Sequence, residues 1–166
     1  MLQLLIDGHN LIGQMPGMSL ADFDDEQKLL TNLRTYVARH LRKKSSGNAA
    51  RVVVVFDSGT PGGKSQALSG GGVEAIFAAD KHTTADRVLV ERIREIKRPQ
   101  EWTLVSGDRT IQQEAARYHM RIVESADFAR TLASPEAPLK PSPSDTSDKP
   151  EREDDVKGWL DRFKKK

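Results

Sequence analysis

The chain has 166 residues, with 26 Lys and Arg against 24 Asp and Glu, four His and no Cys. That length suits one domain with a tail, and without cysteine there are no disulfides, thiolate metal sites or cysteine nucleophiles. The net charge of +2 averages basic and acidic stretches; no apolar run approaches the roughly 20 residues that span a bilayer, and no signal-peptide pattern precedes the first strand, so the expected compartment is the cytoplasm.

A first strand is expected at about residues 2–6, followed by a loop through Gly13, Pro16 and Gly17 to an acid-rich stretch from Asp22 to Glu26. Leu29, Leu33, Tyr36, Val37 and Leu41 recur at helical spacing, and Ser45-Ser46-Gly47-Asn48 stops that helix before a second strand over 51–56. No acid lies between Lys28 and Arg51, where Arg34, Arg39, Arg42, Lys43 and Lys44 stand. The last three either complement the helix dipole or face a phosphate-rich partner. A second basic region, Arg87, Arg92, Arg94, Lys97 and Arg98, favours a nucleic acid.

Gly59, Pro61, Gly62 and Gly63, then Gly70, Gly71 and Gly72, bracket what reads as a mobile loop before a short strand over 73–78. Gly63-Lys64-Ser65 ends like a phosphate-binding P-loop, but Ser58 stands where its first glycine belongs. A helix capped by Thr83 or Thr84 runs to about Lys97 and is closed by Pro99. Then come a strand over 102–105, a helix over 110–118, a strand over 121–123 and a helix from Ser125 that fades by Ala133.

This order predicts a three-layer α/β sandwich on a mostly parallel five-stranded sheet, residues 1–133. Residues 134–150 hold five prolines and four serines and read as a disordered linker. Residues 151–166 read as an amphipathic docking segment, with Val156, Trp159, Leu160 and Phe163 on one helical face. It would enter a partner's groove, pack back on its own domain or, less well, rest on an anionic membrane.

Three apolar runs end on an aspartate: Leu4-Leu5-Ile6-Asp7, Val53-Val54-Val55-Phe56-Asp57 and Leu104-Val105-Ser106-Gly107-Asp108. Such runs are strands buried on both faces, and open α/β sheets bind ligands at the carboxyl ends of their strands, so the three acids are expected to meet. Gathered carboxylates repel unless a cation neutralises them, and oxygen-only ligands suit Mg²⁺ or Mn²⁺. Asp86 lies three, seven and ten residues before Leu89, Ile93 and Ile96, on the helix stripe that faces the sheet. Taken singly, each acid is more often a turn, cap or helix-dipole residue; four at one edge favour a metal. Asn10 either orients Asp7 or closes an Asx turn, and His9 contacts substrate or is structural. Asp80 and Asp127 are weaker candidates.

These residues resemble the NYN domains of the PIN-like nuclease superfamily, most closely the YacP-like branch of endoribonucleases. The resemblance covers residues 1–132 and is carried by Asp7-Gly8-His9-Asn10, Phe56-Asp57, Thr84-Ala85-Asp86, Gly107-Asp108-Arg109 with Gln112, and Ser125-Ala126-Asp127-Phe128. It implies a Rossmann-like sheet in the order 3-2-1-4-5 and Mg²⁺ or Mn²⁺ bound by acids in the places of Asp7, Asp57, Asp86 and Asp108. The family usually has tyrosine where His9 stands and glutamate where Thr83 stands, which implies a changed substrate contact and one acid fewer.

The sequence is therefore read as a metal-dependent endoribonuclease that hydrolyses single-stranded or flexible RNA through a metal-activated water. Asp7, Asp57, Asp86 and Asp108 are the expected metal ligands and catalytic residues. Asn10, Arg39, Arg42, Lys43, Lys44 and Arg109 are the expected RNA contacts. Few aromatic residues leave no evident stacking platform. The alternative is a non-catalytic NYN module that binds RNA or the ribosome. The expected partners are RNA, including ribosome-associated RNA, and a protein for the C-terminal helix, with a membrane not expected.

Overall fold

The computed structural model describes residues 1–43, 49–58, 62–78 and 83–134. Lys44, Asp80, most of the expected linker and the docking segment lie outside the described residues, and Arg42 and Lys43 are described as backbone alone.

Six strands form one sheet: β1 (Leu2–Asp7), β2 (Ala50–Ser58), β3 (Gly63–Gly70), β4 (Val73–Ala78), β5 (Thr103–Val105) and β6 (Arg121–Val123). Their spatial order is β3-β4-β2-β1-β5-β6, and all neighbours are parallel except β3 against β4. Without β3 the order is the 3-2-1-4-5 that the resemblance implies. The helices are α1 (Gly8–Ile12), α2 (Asp25–Lys43), α3 (Ala85–Glu95), α4 (Arg109–Arg117) and α5 (Ser125–Ala133).

Strand side chains alternate between two cores, as a sheet covered on both faces requires. Leu2, Leu4, Ile6, Val52, Val54 and Phe56 pack with Leu29, Leu33 and Phe128 under α1, α2 and α5. Leu5, Val53 and Val55 pack with Leu89, Ile93 and Ile111 under α3 and α4. The same alternation turns Asp7 towards the α3 side. No helix among the described residues is long and apolar enough to cross a membrane.

Two expectations change. Residues 63–70, expected as a loop, form an edge strand, so the sheet has six strands rather than five. Gly71 and Gly72 adopt φ of +61° and +82°, the left-handed pair that a tight hairpin turn needs, and the Arg34 guanidinium donates to the Leu68 and Gly70 carbonyls. The chain after β1 also turns at once into the short helix α1 rather than a loop.

Candidate active site

The chain leaves β1 for β2 and β4 on one side, then crosses to β5 on the other. That switch point opens a crevice at the carboxyl ends of β1, β2 and β5, where α/β sheets place their ligands. Asp7, Asp57 and Asp108 close those three strands, and Asp86 opens α3 beside them.

Three of these acids take the capping role weighed from the sequence. Asp7 Oδ1 accepts the Asn10 N–H and caps α1. Asp57 Oδ1 accepts the Ala85 N–H at the start of α3, 3.1 Å away. Asp108 Oδ1 accepts the Thr110 and Ile111 N–H groups and caps α4. One oxygen of each carboxylate is thus fixed by a helix N-terminus, which stabilises the anion and holds the side chain in one rotamer. A register shift between Phe56 and Ser58 marks a bulge at Asp57, a device that re-aims a side chain at the end of a strand.

Ser106, which the sequence reading passed over, joins two of the acids. Its buried hydroxyl donates to Asp7 Oδ2 and accepts the Asp108 N–H at 3.1 Å. Asn10 Oδ1 accepts the Gly107 N–H at 2.8 Å. Asn10 therefore ties the β1 and β5 loops together. Gln112 donates to the Ser106 carbonyl and to Glu124 Oε1, so both loops are braced from α4 and the end of β6. His9 sits between two carboxylates: Nδ1 accepts the Asp57 N–H at 3.1 Å, and Nε2 lies 3.4 Å from Glu26 Oε1. Because Nδ1 accepts, the ring proton of neutral His9 is on Nε2, facing Glu26.

The acids sense one another. Asp7 is 6% exposed; burial first, then the charges of Asp86 and Asp57, push its carboxyl up to about 6 against the bonds from Asn10 and Ser106. Asp86 is also raised, by partial desolvation first and then by Asp108 and Asp57. Asp86 nevertheless remains solvent-exposed, whereas its helical phase placed it on the buried stripe. At the first turn, that stripe runs out past the edge of the sheet into the crevice.

Among the described residues, no three His, Asp or Glu side chains stand close enough to share one ion directly. The expectation that the four carboxylates come close enough to share one or two ions is not met directly in these side-chain positions, where three of them each give one oxygen to a helix N-terminus. The donor set still fits a hard cation of the Mg²⁺ type, which keeps several waters and binds through one or two carboxylates plus substrate phosphate.

Of the expected RNA contacts, Arg109 is at the crevice, exposed on the first turn of α4 beside Asp108. Arg39 is not. It is exposed on α2, 13 residues beyond Glu26, which is roughly 20 Å along the helix. Asp127, the weaker candidate on α5, pairs with Arg130.

The acid-lined switch point on this sheet defines a PIN-like nuclease domain. The family model for the YacP-like NYN domain matches residues 4–165, and the chain belongs to that family. The match runs past residue 132, where the recognised motifs stop. Two crystal structures of Rae1 (YacP) from Bacillus subtilis are similar. One shares 18% identity over 98% of this chain and 82% of that chain, with a TM-score of 0.58. The other, a single-substitution mutant, shares 22% identity over 80% of this chain and 76% of that chain, with a TM-score of 0.55. At these identities the likeness concerns the fold. Among curated proteins, none matches.

Proposed function

We propose that this protein is a metal-dependent endoribonuclease that hydrolyses phosphodiester bonds in single-stranded or flexible RNA. One observation carries the reading: carboxylates from four separate elements face one crevice, and three of them are held there by helix N-termini. A purely structural cap has no need of company, and four clustered carboxylates cost stability through mutual repulsion.

Bound in the crevice, Mg²⁺ or Mn²⁺ would lower the pKa of a water and offset the charge that develops on the phosphate. Asp7, Asp57, Asp86 and Asp108 would hold the ion, directly or through its waters. Ser106 fixes Asp7 relative to Asp108, and Asn10 keeps the β1 and β5 loops at one spacing. Arg109 offers its guanidinium to a non-bridging phosphate oxygen. Water supplies the attacking oxygen and the departing sugar oxygen takes up a proton, so no side-chain nucleophile is required. Arg39, with Arg42, Lys43 and Lys44, would contact backbone phosphates well away from the cut, adding affinity without sequence choice. The compartment that fits an RNA substrate and a chain without cysteine is the cytoplasm.

The test is cleavage of end-blocked single-stranded RNA in Mn²⁺, Mg²⁺ or chelator, for the wild type and Asp86→Asn. Expected are internal cuts that vanish with chelator, ends free of 2′,3′-cyclic phosphate, and a loss on the order of 100-fold in the variant. Binding without cleavage in either metal would favour the non-catalytic RNA- or ribosome-binding module. Cyclic phosphate ends would instead show attack by the RNA's own 2′-hydroxyl.

A further inference from the structure

The loop between α1 and α2 carries an apolar surface with no partner among the described residues. Phe23 is 104% exposed and Leu20 58%. Leaving a whole phenyl ring in water forgoes roughly 2 kcal/mol of burial, and the loop holds it out firmly. Asp22 and Asp24, on either side of Phe23, both pair with Lys28, while the Ser19 carbonyl and hydroxyl accept the Asp22 and Ala21 N–H groups. Residues 19–26 contain four acids and no base, and even with Lys28 counted the surface is negative. Glu26, which follows the loop in the first turn of α2, reaches His9 beside Asp57.

We infer that residues 156–166 of this chain dock on the loop bearing Leu20 and Phe23. At helical spacing, Val156, Trp159, Leu160 and Phe163 give an apolar face of the size that Leu20 and Phe23 lack. The same eleven residues carry Lys157, Arg162, Lys164, Lys165 and Lys166 against the single acid Asp161, opposite in sign to the loop. The acids Glu151, Glu153, Asp154 and Asp155 precede the segment, so its basic end is the end suited to this surface.

Reach permits the contact. α5, which packs against the same core as α1 and α2, leads the chain out at Ser134, and 21 residues separate Ser134 from Val156. A chain of that length can span up to roughly 70 Å, several times the roughly 14 Å of α5. The family match continues to residue 165, which makes the segment part of the same domain family rather than an unrelated extension.

The chain has no cysteine, so engineered thiol pairs report proximity cleanly, and Ala21, exposed two residues before Phe23, can be replaced while Leu20 and Phe23 stay in place. Full-length Ala21→Cys/Lys157→Cys is oxidised beside a control, Arg121→Cys/Lys157→Cys, whose first thiol sits at the exposed start of β6, where the parallel strands begin. Docking predicts an intrachain disulfide forming on the order of 10-fold faster in the first pair, with the advantage shrinking as salt rises. Equal rates overturn the inference. So does a first pair that yields mainly dimers, which would make a second copy the occupant. A thiol at position 21 that forms no preferred intrachain bond but is shielded from alkylation by single-stranded RNA also overturns it and makes this loop an RNA contact. None of these readouts depends on RNA cleavage, so the inference and the proposed activity can fail separately.

Discussion

Asp7 is where burial and chemistry pull against each other most strongly. In the folded protein without metal, its carboxyl titrates at about 6 rather than 3.8, so the unfolded chain gives up that proton first. The contribution of Asp7 to stability therefore falls as pH rises from about 4 to about 6 and is level above that. At neutral pH the ionised group costs on the order of 3 kcal/mol. Asp7→Asn keeps an acceptor for the Asn10 N–H, puts an amide N–H that can donate to the Ser106 oxygen where Oδ2 accepted its proton, and removes the charge. Urea unfolding of the metal-free variant at about pH 7 should show a gain of about 2 kcal/mol over wild type, closing below about pH 4. A variant no more stable at either pH would mean that Asp7 is not desolvated.

Gly8 makes a second test at this scale. A Cβ there would lie 2.5 Å from two Phe56 ring carbons and 3.0 Å from the Val55 carbonyl. The Phe56 ring is also the one His9 meets edge-on, at 5.4 Å. Gly8→Ala should cost about 1–3 kcal/mol, measured by thermal unfolding, and shift the His9 ring resonances. The aspartates were legible in the sequence because each ends an apolar run. Ser106 and the His9–Glu26 contact were not, because their partners lie up to 99 positions away along the chain and only strand order brings them together.

At the scale of elements, β3 is the instructive miss. Gly63-Lys64-Ser65-Gln66-Ala67-Leu68-Ser69-Gly70 has no β-branched residue and glycine at both ends, so local propensity argues against a strand. Tertiary pairing makes it one: antiparallel bonds to β4, the Lys64–Glu74 ion pair at 2.9 Å, and Arg34 holding two carbonyls near the turn. The strands β1, β2 and β4 needed no such help, since Val, Ile and Leu runs buried on two faces identify themselves. Removing Arg34 should free the hairpin without opening the core. Hydrogen exchange of Arg34→Ala should speed up at residues 64–70 and stay slow at Leu4–Ile6 and Val52–Val55; uniform acceleration would mean that Arg34 supports the whole domain.

For the whole molecule, topology turns scattered acids into a site. The α/β alternation in the sequence was enough to place the acids at one edge of a mostly parallel sheet, and the family resemblance put β1 at its centre. It could not show that the basic residues of α2 gather at the far end of the helix, because charge patterning along a chain ignores helix length. Arg109→Ala should therefore weaken binding of a short single-stranded RNA more than Arg39→Ala, and the difference should narrow for longer RNA that reaches both. Fluorescence anisotropy at matched salt measures this, and equal losses on the short RNA would place the binding path elsewhere.

The central claim is that Asp7, Asp57, Asp86 and Asp108 act together on one divalent cation, and Mn²⁺ binding measured by electron paramagnetic resonance tests it most directly. Wild type should bind Mn²⁺ saturably, and Asp86→Asn on α3 and Asp108→Asn at the start of α4 should each weaken that binding on the order of 10-fold or more. Mn²⁺ bound equally well by wild type and both variants would contradict the account.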